Sequence, residues 1–458
     1  MLTIEGNIIN IDGTSRGRIE IGQGGIIKSV GPVTGRADVV LKDELIFSGF
    51  IDLHVHAREC MDHSWDYKED FTTAGTAAIN GGVVAFADMP NNPVPPVDEK
   101  SYADKNQLAK KCPVEVVLYA GIGPGTKPFE CSVPIHRLQG QPINPPRLAE
   151  GETGGHATKH VPYKVFIGQS VGDLFFSSRD ELSRALEKYR GQNVSFHCED
   201  PEILEANKNQ ATHQSRRPPQ AEISAIDFAL ELIKKYQLWG KICHCSTLEG
   251  LQKIISAKKS GLPVTVEVTP HHLYYDEETM RSAPIYGHFT KADESASARA
   301  GRDGSARYMQ VNPPIRQTKE NRLALIAALK KGDIDYLATD HAPHTIAEKE
   351  KGVSGMPHLD TYGPVAAWLM KEHNFTPQEI ARVCSFNPGQ FMNQFTSVKY
   401  GKIEPGFAGN LTVLDMNKPI KIEKSMLKTK CHWSPFEGVE FPGSVAMTII
   451  KGKAYKLV

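Results

Sequence analysis

The 458-residue sequence predicts an α/β fold: a (β/α)8 barrel of the TIM type, with a small β-sandwich module built from both chain ends. Short β-branched runs recur through the middle of the chain, and most of them are followed by an amphipathic helical stretch. Both ends consist instead of short strands broken by glycine. Apolar strands that alternate with helices pair in parallel and are covered on both faces. We therefore expect residues 49–394 to form the barrel, and residues 1–48 and 395–458 to form the module.

Composition excludes several classes of partner. The 53 Lys and Arg residues balance the 53 Asp and Glu residues, which gives no electrostatic reason to expect binding to nucleic acid or to an anionic membrane. No run approaches the roughly 20 apolar residues of a membrane helix, and the N-terminus lacks the pattern of a signal peptide. The cysteines form no Cys-x-x-Cys pair. We expect a cytoplasmic protein with reduced thiols that acts on a small molecule.

Eight runs are predicted as the barrel strands. In chain order they are 45–55, 83–90, 114–121, 163–168, 193–199, 241–246, 264–272 and 335–341. The clearest helices are "DELSRALEKYRG" and "AEISAIDFALELIKKYQ", whose apolar residues recur at spacings of three and four. Residues 122–160, after strand three, are rich in Gly and Pro rather than helical. The polar segment 284–307 is predicted as a loop after strand seven, either a lid or a disordered insertion.

The strand ends carry polar residues that packing alone does not explain. Strand one ends in His54 and His56, which point the same way because they are two residues apart on a strand. Four further strands each supply one residue: Lys164, His197, His244 and Asp340. One strand histidine alone is more often a core residue. Because the functional face of a barrel lies at the carboxyl ends of its strands, the whole set predicts a site for Zn²⁺ or a similar metal.

Lys164 leaves two interpretations open. Its stem could pack in the core while its ammonium group pairs with an acid. Alternatively, the neutral amine could react with CO₂ to give a carbamate that bridges two metal ions. Spacing along the chain does not choose between these interpretations.

The order of motifs along the chain resembles a known family. The motifs are "FIDLHVHARE", "YKEDF", "DMPNN", "YKVFIG", "FHCED", "CHCS", "TPHHL", "VNPPIR" and "TDHAPHT". Over essentially the whole chain they resemble the amidohydrolase superfamily and, within it, the dihydroorotases. The resemblance implies zinc-dependent, reversible cyclisation of N-carbamoyl-L-aspartate to L-dihydroorotate in pyrimidine biosynthesis. A homodimer is a further expectation from the family.

The resemblance also implies the arrangement of the site. Two Zn²⁺ ions per subunit would be bridged by an N6-carboxylated Lys164 and by a hydroxide that attacks the cyclic amide. One ion would be held by His54, His56 and Asp340, and the other by His197 and His244. Asp340 would also move the proton from the attacking hydroxide to the leaving nitrogen.

Substrate contacts are implied for five residues: His56, Arg58, Asn91, Asn312 and His344. Arg58, Asn91 and His344 would bind the substrate carboxylate, and Asn312 would contact the ring amide. The residues alone leave other roles open. Arg58 could pair with Glu59 or Asp62 at the surface, and Asn91 could be a turn residue. His344 could cap a helix or support another residue of the site.

Two segments depart from the family pattern. Residues 58–71, "RECMDHSWDYKEDF", replace a shorter Arg-Glu-Pro-Gly turn, with Cys60 where proline is usual. Residues 354–361, "SGMPHLDT", place His358 where glycine is usual. We expect these changes to alter loop geometry and substrate affinity more than the chemistry.

Two other functions compete with this interpretation. An allantoinase or a dihydropyrimidinase would share the metal site but would lack the Arg58, Met-Pro-Asn and Ala-Pro-His signatures. A non-catalytic scaffold related to dihydroorotases would typically have lost metal ligands, and this sequence retains all of them.

Overall fold

The structure is a computed structural model that describes residues 1–33, 35–129, 161–168, 174–281, 306–316 and 318–457. The predicted loop 284–307 lies outside these ranges except for its last two residues. The Gly- and Pro-rich segment 122–160 is described as far as residue 129. No helix in these ranges is both long and apolar enough to cross a membrane.

Both chain ends contribute strands to one seven-stranded sheet. Its strands are β1 (Leu2–Asn10), β2 (Gly13–Ile21), β3 (Ile27–Gly31), β4 (Val39–Ser48), β14 (Leu411–Asp415), β17 (Ser444–Ile450) and β18 (Lys453–Lys456). The two ends meet where β14 pairs antiparallel with both β4 and β17. A separate apolar core that includes Ile4, Ile19 and Leu411 packs within this module. Two short strands, β15 (Ile420–Lys421) and β16 (Glu440–Phe441), pair antiparallel with each other and lie between β14 and β17 in the sequence.

Between these ends, eight parallel strands form the barrel. They are β5 (Phe50–Val55), β6 (Val83–Asp88), β7 (Glu115–Leu118) continued by β8 (Ala120–Ile122), β9 (Tyr163–Phe166), β10 (Asn193–His197), β11 (Trp239–Ile242), β12 (Val264–Val268) and β13 (Tyr336–Leu337). β7 pairs with β6 and β8 pairs with β9, so these two pieces act as one barrel strand. The ring closes where Val55 bridges His341 in parallel and the His56 N–H donates to the His341 carbonyl at 2.8 Å. The predicted fold class is confirmed.

Several predicted strand boundaries are wrong, including that of the sixth strand, which ends at Ile242 and not at residue 246. The run 45–55 divides at Gly49, because β4 belongs to the module and β5 to the barrel. A side chain at Gly49 would lie 2.4 Å from the Val84 methyl groups, so only glycine fits this crossing. The seventh strand ends at Val268, and Thr269 then caps a helix that contains the two histidines of "TPHHL". The eighth strand is only two residues long.

Helices follow the barrel strands as predicted. They are α1 (Phe71–Asn80), α2 (Glu99–Ala109), α3 (Arg179–Leu186), α4 (Pro201–Asn207), α5 (His213–Arg216), α6 (Pro219–Tyr236), α7 (Leu248–Lys259), α8 (Pro270–Tyr274), α9 (Glu277–Arg281), α10 (Lys319–Lys331), α11 (Ile346–Glu350), α12 (Tyr362–Glu372), α13 (Pro377–Ala381) and α14 (Asn387–Met392). A π-helical turn, Arg382–Phe386, joins the last two. α3 and α6 are the two helices that the apolar spacing predicts most clearly. α6 buries Ala225, Ile226, Ala229 and Ile233 against the barrel.

Candidate active site

One pocket at the carboxyl ends of the strands brings together all the predicted site residues except Lys164 and His344. Its lining residues are His54, His56, Arg58, Asn91, Phe166, His197, His244, Asn312, Asp340, Ala342, Ser354 and Gly355. Lys164 and His344 lie behind this wall, each with 0% exposed surface. Residues as far apart in sequence as His54 and Gly355 are thus placed around one space.

The first two histidines turn one nitrogen each toward Asp340. His54 Nδ1 hydrogen bonds to the buried Glu267 carboxylate, and His56 Nδ1 lies 2.6 Å from Asn91 Oδ1. Their Nε2 atoms lie 3.2 and 3.0 Å from Asp340 Oδ1. Since an acceptor on Nδ1 fixes the proton there, the Nε2 lone pairs face Asp340. These three side chains form a donor set suited to a metal ion.

The other two histidines face each other. His197 Nδ1 lies 2.9 Å from His244 Nε2, and His197 Nε2 lies 2.9 Å from Glu199. Burial alone would raise the pKa of Glu199, but the Arg217 guanidinium and the His197 hydrogen bond outweigh it and hold the pKa at about 2. Glu199 is therefore a carboxylate that keeps the His197 proton on Nε2. Nδ1 remains as the nitrogen for a ligand.

Burial keeps the four imidazoles neutral. It lowers the pKa of His54, His56 and His244 well below the usual value, and that of His197 also falls. Neutral imidazole is the form that binds a metal ion. Burial also raises the pKa of Asp340, to about 7, although the nearby Lys164 charge opposes the rise.

Lys164 lies on β9 among these groups. Its Nζ donates to Cys243 Sγ at 2.9 Å and lies 5.1 Å from the centre of the Phe166 ring. In the described ranges, no carboxylate comes within the 4.0 Å of an ion pair with Nζ. The acid partner that one of the two interpretations requires is therefore absent from this part of the chain.

Three site residues have left-handed backbone conformations although none is glycine. The φ angles are 63° at Arg58, 34° at His244 and 50° at Asp340. Each follows the end of a barrel strand by two or three residues, where the chain leaves the sheet. A non-glycine residue in this region costs roughly 1–3 kcal/mol, and such strain is concentrated at functional sites.

Arg58 is 1% exposed and only partly hydrogen bonded. Its Nη2 lies 3.1 Å from His344 Nε2, and its Nε donates to the Pro343 carbonyl at 3.3 Å. Nη1 has no hydrogen-bond partner among the described residues. Burial lowers the pKa of Arg58 to about 10, so the group stays cationic at neutral pH. The surface ion pair with Glu59 does not form, because Glu59 pairs with Lys111 at 2.6 Å.

The remaining predicted contacts have different surroundings. His344 supports Arg58 from behind, and Trp433 Nε1 donates to the His344 carbonyl at 2.7 Å. Asn91 lines the pocket while it holds His56. The buried Asn312 Oδ1 has no hydrogen-bond partner within the described ranges.

The two atypical segments lie close by. Trp65, from the long loop 58–71, places its ring 5.7 Å from the Arg58 Cζ atom. His358 is buried and stacks on His271, with ring centres 4.9 Å apart and Nε2 2.9 Å from His271 Nδ1.

Glu267 is the main site residue that sequence reasoning missed. It is fully buried in β12, accepts from Lys241 Nζ at 2.5 Å and from the His244 N–H at 3.2 Å, and holds His54. Its signal was a charged residue inside the β-branched run "VTVEV". A carboxylate there is costly unless it is paired, so a buried partner was to be expected.

Comparison with known proteins decides the family. The model of the family described as "Amidohydrolase family" matches residues 45–455. The chain belongs to the amidohydrolase family. Curated relatives include a dihydroorotase from Pyrococcus furiosus, 30% identical over 99% of this chain and 92% of that protein. Another, from Methanosphaera stadtmanae, is 30% identical over 98% of this chain and 94% of its own length. The resemblance to dihydroorotases predicted from the motifs is confirmed.

Solved structures agree on the fold. An L-hydantoinase (dihydropyrimidinase) from Arthrobacter aurescens superposes with a TM-score of 0.81, covering 100% of this chain and 96% of its own, at 20% identity. A D-hydantoinase (dihydropyrimidinase) from Thermus sp. gives a TM-score of 0.76 over 100% of this chain and 95% of its own, at 18% identity. At these identities the likeness concerns architecture alone.

Proposed function

We propose that this amidohydrolase is a dihydroorotase, which interconverts L-dihydroorotate and N-carbamoyl-L-aspartate. One observation carries the proposal: the buried Arg58 guanidinium lines a pocket of metal-binding residues and leaves Nη1 without a hydrogen-bond partner among the described residues. A buried cation on the pocket wall favours an anionic substrate. The near 30% identity to proteins named dihydroorotase supports the same choice.

The two unpartnered groups match the substrate in chemistry. L-Dihydroorotate carries a carboxylate, which accepts hydrogen bonds, and ring N–H groups, which donate them. Arg58 Nη1 offers a donor and Asn312 Oδ1 offers an acceptor. Dihydrouracil, the neutral analogue, would leave the Arg58 charge buried and unpaired. This difference favours dihydroorotate over the substrates of a dihydropyrimidinase.

The donor set fits two zinc ions. His54 Nε2, His56 Nε2 and Asp340 would hold one ion, and His197 Nδ1 and His244 Nε2 would hold the other. Histidine nitrogens with a carboxylate suit Zn²⁺, and Glu267, Asn91 and Glu199 fix the proton on the opposite ring nitrogens.

Carboxylation of Lys164 completes this proposal. A buried ammonium group beside four imidazoles is unfavourable, since its charge opposes cation binding there. Reaction of the neutral amine with CO₂ releases a proton and converts the side chain to an anion. A carbamate on Lys164 would thus supply a negative charge between the two histidine pairs.

Zinc held by these histidines and Asp340 would polarise the amide carbonyl and lower the pKa of water. Arg58 and Asn312 orient the ring. Asp340 accepts the proton from the attacking water and delivers it to the ring nitrogen as the C–N bond breaks. The product is N-carbamoyl-L-aspartate, and ring closure follows the same steps in reverse.

Location and assembly complete the proposal. The seven described cysteines are free, which supports a cytoplasmic location. A homodimer is proposed from the family alone, and light scattering of the purified protein tests it.

Turnover of L-dihydroorotate by the zinc-loaded protein, followed by ultraviolet absorbance, tests the function. Dihydrouracil and allantoin serve as neutral competitors, and zinc per chain is measured in parallel. Turnover confined to dihydroorotate is the expected result. Turnover of a neutral amide alone would contradict the role of Arg58, and two bound ions without any turnover would indicate a non-catalytic relative.

A further inference from the structure

Lys349 is a buried lysine that the proposed reaction does not use, and burial lowers the pKa of its ammonium group to about 7. It lies on α11, has 0% exposed surface, and is held by three backbone carbonyl groups. Its Nζ donates to the Gln310, Val353 and Gly355 oxygens at 2.9, 2.7 and 2.9 Å. An ammonium group has three N–H donors, so these contacts satisfy it fully. Within the described ranges, no carboxylate lies within 4.0 Å of Nζ.

The three carbonyl groups belong to two segments of the pocket wall. Gln310 comes two residues before Asn312, and Val353 and Gly355 flank Ser354. Asn312, Ser354 and Gly355 all line the pocket. The Gln310 oxygen also accepts from the Gly355 N–H at 2.9 Å, so both segments share one acceptor.

The loop that contains Gly355 is confined from its other side as well. Gly355 has a φ of 133°, and a side chain there would lie 2.6 Å from the Ala342 oxygen and 2.9 Å from His344 Cδ2. The Ala342 N–H donates to the Met356 oxygen at 2.8 Å. The loop therefore lies between residues 342–344, which follow β13, and the ammonium group of Lys349.

We propose that Lys349 is a positioning residue for the substrate pocket. Lys349 holds residues 353–355 against residues 310–312 and thereby sets substrate affinity. Three carbonyl dipoles point at one position, and their mutual repulsion is offset only by a cation or by several donors. Without the ammonium group, two of the three oxygens would be buried without a donor, and the segments would separate. The inference rests on the proposed function in that it takes this pocket as the substrate site.

Lys349→Met in the full-length, zinc-loaded protein tests the inference. Lys351→Met is the matched control, because Lys351 lies two residues further along and is exposed. We expect KM for L-dihydroorotate to rise about tenfold or more in Lys349→Met, with a much smaller change in kcat and unchanged zinc per chain. Lys351→Met should stay within about twofold of the unmodified protein in both constants.

Hydrogen exchange gives a readout that needs no substrate. The Gly355 amide is bonded to Gln310 in the intact pocket, so it should exchange about tenfold faster or more in Lys349→Met and not in Lys351→Met. Unchanged exchange together with an unchanged KM would overturn the inference. Faster exchange in a protein that does not convert dihydroorotate would support the role of Lys349 while contradicting the proposed function.

A second variant covers the case in which Lys349→Met does not fold. Gly355→Ala keeps the lysine but forces the loop away from Ala342 and His344. The same rise in KM is expected, with zinc content retained. A KM equal to that of the unmodified protein would show that the position of this loop does not set affinity, and would overturn the inference equally.

Discussion

The two walls of the pocket differ in how their polar atoms are satisfied. On the metal-binding wall, His54, His56 and His197 each give one nitrogen to a buried acceptor. On what we call the substrate-reading wall, Arg58 Nη1 and Asn312 Oδ1 have no hydrogen-bond partner within the described ranges. Groups that hold a metal ion need fixed orientations, whereas groups that bind a substrate must keep hydrogen-bond donors or acceptors available for it. The contrast therefore separates ligand-fixing residues from substrate-reading residues.

The largest effect is expected from Asp340→Asn, because Asp340 lies beside His54 and His56 and is the proposed proton acceptor. Loss of the proton acceptor should lower kcat about 10³-fold, because an amide cannot take the proton from the attacking water. Steady-state turnover of dihydroorotate measures it. Asp360→Asn is the control, since this buried aspartate accepts from the Lys428 and Thr429 N–H groups away from the pocket. Equal losses in both variants would show a general effect on folding rather than on proton transfer.

Arg58→Met tests the substrate-reading wall. Removal of one partner of a buried charge pair costs about 2–4 kcal/mol, which is about 30- to 1,000-fold in kcat/KM for dihydroorotate. Zinc per chain should not change, and turnover of dihydrouracil should fall less. Arg322→Met is a matched control, because Arg322 is a buried arginine paired with Asp276 at 2.9 Å and does not line the pocket. Loss of zinc from Arg58→Met would show that Arg58 supports metal binding and not substrate recognition.

Glu267→Gln tests the metal-binding wall and should have the smallest effect. A glutamine can still accept from His54 but loses the charge that pairs with Lys241. Zinc affinity should fall about 10- to 100-fold in competition with a chelator, the usual cost of losing a partner of a metal ligand. Asp335→Asn, which removes the ion pair with Lys258 at 2.8 Å, is the control. Unchanged zinc affinity would show that Glu267 supports the fold and not the ligand.

Residues of the metal-binding wall differ in how far the sequence predicts them. His54 and His56 can be predicted as site residues because side chains two residues apart on a strand share a face. The carboxyl ends of all barrel strands also lie at one end of the barrel. The sequence does not predict that Glu267 contacts His54, since the two residues are 213 positions apart and the contact depends on the register of strands that are not neighbours. The charged position inside β12 signals only that some partner exists.

Backbone geometry sets a second limit on prediction. The left-handed conformations of Arg58, His244 and Asp340 aim their side chains, yet no glycine marks those positions. Gly49, in contrast, marks the break between β4 and β5, but strand-forming residues on both sides hide it. The three-carbonyl site of Lys349 depends on segments 39 residues apart and has no local signature.

A crystal structure of the zinc-loaded protein with L-dihydroorotate tests the central claim most directly. We predict that the substrate carboxylate lies within hydrogen-bond distance of Arg58 Nη1 and that a ring N–H donates to Asn312 Oδ1. A carboxylate bound elsewhere, with Arg58 Nη1 still unpartnered, would contradict the assignment of this wall to substrate recognition.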